Sequence, residues 1–259
     1  MAEERWRTAV TSIAPNEIRV RGYRIDEMMG HVAFGEAVYL ILRGELPTAA
    51  VGRVMEAMLV ASIDHGVTPP STLSVRNAAT TGAPLNACLA AGALAVNRHH
   101  GGAVEDCMRL LARGAVRVAA GESVTAVASA LIAEEKAAGR RLPGWGHRVH
   151  SDDPRSRRLL ALVRDAGVIG PHVTIAEAIV DELAKGGKRL PLNVDGAIAA
   201  VLADLGFAAE LANGFFILSR TAGWMAQVAE EVTREKPMRR IEQGAVDYDG
   251  PAPRDLPLP

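Results

Sequence analysis

Charged and imidazole side chains occur at glycine-rich or helix-starting positions, where they could bind anions and transfer protons. The segment 143–155 reads PGWGHRVHSDDPR. Its proline and two glycines predict a bent loop that leads into His147. The pair Asp153 and Pro154 predicts a helix start, so Arg155 falls in a first turn, where the helix dipole disfavours a cation. A bound carboxylate or phosphate would offset that repulsion, but a surface turn with solvated arginines is an equally good interpretation.

Four other positions are chemically unusual, and each also has a purely structural interpretation. His65, in DHG, either binds a ligand or caps a helix end. His100 precedes two glycines, which allow a ligand to approach the backbone but also make an ordinary turn. Asp195, in the first turn of a predicted helix, either belongs to a functional site or is an acid stabilised by the helix dipole. Arg220 is the only charged residue between positions 210 and 230, so a buried partner or an anionic ligand is expected.

The elements that must position these residues are predicted to be helices. The segment 17–24 alternates weakly and predicts a short hairpin. Helix caps are predicted at Thr48, Asp153 and Asn193, and Thr174 to Glu177 predicts a capping box. Because the helices at 84–97 and 211–229 are almost uncharged, we expect them to be buried, and a homodimer would bury both. The predicted helices cover 33–43, 49–63, 68–80, 84–97, 103–119, 123–138, 154–166, 174–185, 194–205 and 208–234.

Composition narrows the function classes. The chain has 259 residues, 49% of them hydrophobic, and a net charge of -1, so no nucleic-acid surface is expected. The longest small apolar run, 87–96, is too short to span a bilayer, and the N-terminus lacks an apolar signal core. Cys88 and Cys107 are expected to be reduced core thiols. These features predict a soluble, cytoplasmic protein with no membrane partner.

Several common sites are missing from the sequence. No Cys or His pair has the spacing of a structural zinc site, so no metal is expected. No phosphate-binding Gly-x-x-x-x-Gly-Lys loop, dinucleotide-binding fingerprint or Gly-x-Ser-x-Gly elbow is present. Nucleotide hydrolysis, hydride transfer and serine hydrolysis are therefore not supported, and no tightly bound cofactor is expected.

The unusual positions belong to a series of sequence strings that runs along most of the chain. In order these are RGYRIDEM, LILRGELPT, DHG followed by PSTLSVR, HHGGA, GWGHRVHSDDPR, LPLNVDG and FILSRTAGW. Together the strings resemble the citrate synthase superfamily. The resemblance implies an all-α, citrate-synthase-like fold. A large helical domain would comprise residues 1–101 and 207–259, and a small helical domain of residues 102–206 would be inserted into it. The active site would lie between the two domains, in a dimer.

The resemblance also implies catalytic roles around a CoA thioester, which would be the substrate. Asp195 would exchange a proton with the acetyl methyl group, and His100 would donate a hydrogen bond to the thioester oxygen. His147 would exchange a proton with the ketone or hydroxyl oxygen of the four-carbon partner. The residues implied to bind substrate carboxylates are His65, Arg155 and Arg220, and those implied to bind CoA are Gly144, Trp145, Gly146 and Arg148.

Departures from the synthase pattern bear on the choice between related activities. Only residues 49–63 separate GELPT from DHG, where citrate synthases carry extra helices. This compactness resembles stand-alone citryl-CoA lyases and the C-terminal module of ATP-citrate lyase, and it favours cleavage of citryl-CoA to acetyl-CoA and oxaloacetate. His100, absent from the animal form of that module, keeps citrate synthesis open. A non-catalytic assembly subunit is the second alternative. Arg239 and Arg240 are candidates for an arginine contributed across the dimer.

Overall fold

The computed structural model describes residues 6–146, 152–187, 190–240, 243–245 and 247–255. Helices account for most of this part of the chain. They are α1 (Ile25–Met28), α2 (Phe34–Arg43), α3 (Ala49–Ala61), α4 (Pro70–Thr80), α5 (Leu85–Leu94), α6 (Ala103–Ala119), α7 (Val124–Ala137), α8 (Pro154–Asp165), α9 (Pro171–Lys185), α10 (Val194–Asp204) and α11 (Ala212–Arg234), with 3-10 turns at Ala209–Leu211 and Gln243–Ala245. The all-α prediction is confirmed.

Three short strands form an antiparallel meander before the helices. They are β1 (Thr11–Ala14), β2 (Glu17–Val20) and β3 (Tyr23–Arg24), in the order β1-β2-β3. Val20 pairs with Tyr23 across Arg21 and Gly22, whose φ angles of 50° and 90° suit a two-residue hairpin turn. The predicted hairpin at 17–24 is confirmed, and β1 adds a strand that the sequence did not predict.

Locally capped helices begin where the sequence predicts them. The side chain of Thr48 accepts a hydrogen bond from Val51 N–H. Asp153 and Asn193 cap α8 and α10 in the same way. The C-terminus of α5 differs from the prediction, since the helix ends at Leu94 and not near position 97. Asn97 exchanges two backbone hydrogen bonds of 2.8 Å with His100, and this pairing turns the chain back.

The predicted start of α9 is wrong. The helix begins at Pro171, and Thr174 lies inside it, with its hydroxyl donating to the Gly170 carbonyl. The cap comes from another helix: the buried carboxylate of Asp204 accepts the backbone N–H groups of Gly170, His172 and Val173 at 2.9–3.0 Å. Because this cap arises from tertiary packing, no local pattern could reveal it.

Two clusters of buried apolar side chains form the core of the described chain. The larger cluster surrounds α10, where Ala197, Ala199 and Leu202 are fully buried, and it includes Val54 and Met55 of α3. The smaller cluster joins α4, α5 and α11 and contains Trp224. The larger cluster crosses the predicted boundary at residue 102, and the division into two domains stays a prediction.

Helix α5 is far less buried than its composition predicts. Only Cys88 and Gly92 are buried in it, while Leu85 and Leu94 have exposed fractions of 43% and 79%. Within one chain the helix packs along one side only, so the expected burial is not reached by a single copy, and its burial in a homodimer stays a prediction. Both cysteines are free and buried, as predicted. In the described ranges we find no helix with the length and apolarity needed to span a membrane.

Candidate active site

A cleft with a volume of ≈ 430 Å³ lies between the loop after α3, the start of α4, the turn before α6, the N-termini of α8 and α10, and the middle of α11. The sequence predicts six residues for catalysis or carboxylate binding. Five of them line this cleft: His65, His100, Arg155, Asp195 and Arg220. The sixth, His147, lies outside the described residues, as does Arg148.

The glycine loop before His147 is fastened to the first turn of α10. Gly144 accepts the Asn193 N–H at 3.0 Å, and Gly146 donates to Pro191 O at 2.8 Å. The Asn193 amide also donates to Gly146 O at 2.8 Å. Gly144 has φ +91°, and a Cβ there would lie 2.7 Å from the Gly196 Cα. Two glycines are therefore needed for the loop and the helix to cross this closely.

Asp153 joins the N-termini of α8 and α10. Its fully buried carboxylate accepts from the Arg155 N–H and Nε at 3.0 Å, from Arg155 Nη2 at 2.9 Å and from Val194 N–H at 3.1 Å. Burial raises the pKa of Asp153, but these hydrogen bonds outweigh it and hold the pKa below its usual value. Asp153 itself offsets the charge of Arg155, so no ligand is needed for that purpose, although Arg155 still lines the cleft.

Asp195 is the second residue of α10 and is partly exposed to the cleft. Burial raises the pKa of its carboxyl, and the positive charges of Arg155 and Arg220 oppose that rise without cancelling it. A carboxyl with a raised pKa is a stronger base when ionised and is more easily protonated near neutral pH. Asp195 can therefore carry a proton in either direction.

His100 lies in the turn between α5 and α6. Its Nε2 is 2.7 Å from the Ser71 hydroxyl, and its ring meets the Phe216 ring edge to face, with centroids 5.6 Å apart. Burial lowers the pKa of His100, and the nearby charge of Arg220 lowers it further. A neutral imidazole is thus favoured at the cleft. Sequence analysis missed Ser71, because nothing in PSTLSVR separates one serine from the other.

Arg220 is buried in the middle of α11, with an exposed fraction of 3%. Its Nε donates to Ser62 O at 2.7 Å, and its guanidinium lies 4.7 Å from the Phe216 ring centroid. Within the described residues its buried Nη1 has no hydrogen-bond partner. Burial lowers the pKa of Arg220, while Asp64 and Asp195 act in the opposite direction. A carboxylate in the cleft would satisfy the unpaired nitrogen.

The loop that carries His65 lies directly against α11. A Cβ at Gly223 would collide with the Ile63 carbonyl oxygen and would lie 3.0 Å from Asp64. Asp64 in turn accepts the Gly66 N–H at 2.9 Å, which fixes the turn around the histidine. Gly223 therefore allows the close approach that brings His65 to the same cleft as Arg220.

The residues predicted to bind CoA are placed differently from one another. Trp145 and Gly146 line a second cavity of ≈ 770 Å³, together with the basic side chains of Lys136, Arg140 and Arg141. Gly144 is not among its lining residues, because it packs against α10 and against Cys107. Within the glycine loop, Gly144 thus packs against α10, while Gly146 lines the second cavity.

The fold is all-α, and one cleft brings together two arginines, two or more imidazoles and the carboxylate of Asp195. In the part of the chain that the structure describes, no group of three or more His, Cys, Asp or Glu residues could hold a metal ion. A family model described as citrate synthase, C-terminal domain, matches residues 50–241. The chain belongs to the citrate synthase family, and the resemblance seen in the sequence is confirmed.

Individual relatives match over different lengths. The putative citrate synthase 2 of Mycobacterium tuberculosis (strain ATCC 25618 / H37Rv) is 31% identical over 206 residues, which are 77% of this chain and 52% of the relative. The chain therefore spans about half the length of the curated relatives that it first matches. The structure of citryl-CoA lyase from Hydrogenobacter thermophilus is 43% identical, with a TM-score of 0.88 and 97% of both chains covered.

A more distant solved structure contains ligands. Citrate synthase from Thermoplasma acidophilum, in a ternary complex with carboxymethyl coenzyme A and oxaloacetate, is 25% identical with a TM-score of 0.69. That alignment covers 87% of this chain and 59% of the synthase. The citrate-synthase-like fold is thereby confirmed at two levels of similarity.

Proposed function

We propose that this chain is a citryl-CoA lyase, which cleaves citryl-CoA to acetyl-CoA and oxaloacetate. The observation that carries the proposal is the full-length likeness to citryl-CoA lyase, which is 43% identical over 97% of both chains. The gathering of five predicted residues in one cleft supports it independently. Groups suited to bind the two free carboxylates of citryl-CoA and to protonate a carbon both line this cleft.

The cationic side of the cleft would bind the substrate carboxylates. Arg220 offers a buried nitrogen without a partner in the described chain, and a carboxylate oxygen would complete its hydrogen bonding. Arg155 lines the same cleft, and its Nε and Nη2 donate to Asp153, which orients the guanidinium. His65 also lines this cleft. Because the desolvated guanidinium of Arg220 is costly without an anion, its partner is expected to bind tightly.

Cleavage requires two proton transfers around one broken bond. His147 takes the hydroxyl proton of citryl-CoA, the carbon–carbon bond breaks, and its electron pair passes to the acetyl thioester as an enolate. His100 donates a hydrogen bond to the enolate oxygen, and Asp195 delivers a proton to the enolate carbon. The raised pKa of Asp195 suits an acid that must hold a proton near neutral pH. In the sequence His147 directly follows Gly146, and the Gly146 carbonyl accepts a hydrogen bond from the Asn193 side chain. Asn193 is in turn only two residues before Asp195.

The second cavity would hold the CoA part of the substrate. Its basic side chains, Lys136, Arg140 and Arg141, suit the phosphates of CoA. Arg140 is held in place by the buried carboxylate of Glu135, which accepts its Nε at 2.7 Å and its Nη2 at 2.9 Å. CoA would thus enter as part of the substrate, and no resident cofactor is proposed.

Citrate synthesis is the alternative, and the curated relatives favour it. They are named citrate synthases, although this chain spans only about half of their length. Net synthesis also requires hydrolysis of bound citryl-CoA, for which a further arginine from a partner chain is expected. Arg239 is held within its own chain by Glu231, at 2.6 Å and 2.9 Å, so Arg240 is the better candidate.

A two-way assay separates these functions. Purified protein is given citryl-CoA in one reaction and acetyl-CoA with oxaloacetate in the other, and the release of acetyl-CoA, free CoA and citrate is measured. We expect cleavage to be much faster than net citrate formation. Citrate and CoA formed as fast as cleavage would identify a citrate synthase. No turnover in either direction would support a non-catalytic assembly subunit.

We propose further that the chain forms a homodimer in the cytoplasm. The proposal rests on the apolar side chains that one chain leaves uncovered on α5 and α11: Leu85, Leu94, Leu218 and Met225. Burial of these side chains by a second copy would remove them from water. Sedimentation at micromolar concentration is expected to give twice the chain mass, and a monomer would contradict the proposal.

A further inference from the structure

Three residues from separate segments form a line of hydrogen bonds that ends at His100. The indole Nε1 of Trp224, on α11, donates to the Ser71 hydroxyl at 3.2 Å. The same hydroxyl, on α4, is 2.7 Å from His100 Nε2. Ser71 has an exposed fraction of 0% and Trp224 of 1%, so bulk water does not compete for these bonds.

The direction of the hydrogen bonds follows from the donors available. An indole N–H can only donate, so the Ser71 oxygen accepts from Trp224. The serine has one proton to donate, and His100 is the remaining partner of its hydroxyl in the described chain. A proton on Nε2 would make the serine oxygen accept twice and leave its own proton unused in a buried place. The arrangement is complete only when Nε2 accepts and Nδ1 carries the proton.

The fold makes room for this tryptophan. A Cβ at Gly92 on α5 would lie 3.0 Å from the Trp224 ring and 2.6 Å from Val75 Cγ1. The indole therefore fits against the α5 backbone only because position 92 is glycine. The other buried members of the smaller core cluster are Val75, Ala79, Cys88, Val96, Phe216 and Val228.

We propose that Trp224 is a positioning residue that acts through Ser71 to keep His100 as the neutral tautomer protonated on Nδ1. By donating to the hydroxyl oxygen, the indole makes the serine a stronger donor and a poorer acceptor. This favours an unprotonated Nε2 and disfavours the imidazolium. The proposal rests on the proposed function, in which the N–H of His100 is the hydrogen-bond donor to the enolate oxygen.

The other groups at the cleft do not choose between the two neutral tautomers of His100. The titratable side chains that line the cleft with it are His65, His99, Arg155, Asp195 and Arg220. Burial and the charge of Arg220 lower the pKa of His100 and so disfavour the imidazolium. Neither effect distinguishes Nδ1 from Nε2, and that choice is left to the serine and the indole.

Imidazole nitrogen NMR tests the proposal without relying on turnover. The chain is labelled with ¹⁵N-histidine, the His100 signals are assigned with His100→Gln, and the two nitrogen shifts report which one is protonated at mildly alkaline pH. We expect Nδ1 to be protonated in the wild type. In Trp224→Phe, which keeps an aromatic ring but lacks the N–H, we expect partial protonation of Nε2. Protonation of Nε2 in the wild type would overturn the proposal, whether or not the variant folds.

A packing control separates the hydrogen bond from general damage to the core. Val228→Ala removes side-chain volume from the same cluster but no donor, and it is expected to leave the His100 tautomer unchanged. With citryl-CoA, Trp224→Phe should lower kcat roughly fivefold, the effect of one hydrogen bond, with little change in KM. Equal changes in both variants, or an unchanged tautomer in Trp224→Phe, would refute the role. If no variant or wild-type protein cleaves citryl-CoA but the tautomer behaves as expected, the proposed function fails and the positioning role stands.

Discussion

Replacing Gly196 by alanine tests how tightly the glycine loop packs against α10. In an exposed helix, alanine is better than glycine by about 0.5–1 kcal/mol. At position 196, however, the new Cβ would collide with the Gly144 carbonyl oxygen and lie 2.6 Å from Leu192 Cδ1. Since the loop cannot withdraw without stretching the 3.0 Å bond from Asn193 N–H to Gly144 O, we expect net destabilisation.

Gly214 provides a matched control. It is the third residue of α11, as Gly196 is the third residue of α10, and a Cβ at Gly214 meets nothing within 4 Å. Gly214→Ala should therefore stabilise the chain by up to about 1 kcal/mol. In Gly196→Ala, overpacking costs about 1–3 kcal/mol and a weakened hydrogen bond about 0.5–1.5 kcal/mol. The helix-propensity gain of about 0.5–1 kcal/mol offsets part of these costs. The free energy of unfolding of Gly196→Ala should therefore fall by roughly 1–3 kcal/mol.

Urea unfolding of the two variants against the wild type measures the difference. The midpoint should rise for Gly214→Ala and fall for Gly196→Ala, with similar slopes. Citryl-CoA cleavage should be retained by the first variant and lowered in the second, because the displaced loop leads directly into His147. A stabilised Gly196→Ala variant with full activity would refute the argument that the glycine contact positions the site.

Three further changes test individual side chains. Asp195→Asn should abolish cleavage, because an amide cannot transfer the proton. The variant should also gain stability relative to the wild type as pH rises above about 3.9, because a buried acid with a raised pKa opposes folding once it ionises. A variant with a normal kcat would remove Asp195 from the mechanism. Asp204→Asn should lose about 2 kcal/mol or more at neutral pH in thermal unfolding, because the carboxylate accepts hydrogen bonds from His172 and three backbone N–H groups. Burial raises the pKa of Asp204, but the hydrogen bonds lower it by more, so the folded-state pKa lies below the unfolded value of about 3.9. The contribution of the carboxylate to stability is therefore present above about pH 3.9 and is lost as pH falls through the lower folded value. A stability difference between variant and wild type that persists in acid would contradict this. Arg220→Met should keep or improve stability by removing a buried, incompletely paired cation, while raising KM for citryl-CoA; an unchanged KM would exclude Arg220 from carboxylate binding.

The sequence by itself determined the local features of this protein. Thr48, Asp153 and Asn193 start their helices because a capping side chain bonds to backbone only two or three residues away. The family could likewise be identified from short strings, because residue types and their order are properties of the sequence alone. These strings include DHG, HHGGA, LPLNVDG and FILSRTAGW. Five of the site residues that those types predict do line one cleft.

Tertiary structure decided which groups act on one another across long stretches of chain. Asp204 caps a helix that begins more than thirty residues earlier, so the local box at Thr174 was the wrong signal. Ser71 reaches His100 because α4 packs beside α5, and Trp224 reaches Ser71 because α11 packs against α4. Asp153, predicted to be a simple cap, also holds Arg155 and the start of α10. Hydrogen bonds between distant residues depend on packing geometry, and a periodic pattern in one segment carries no information about that geometry.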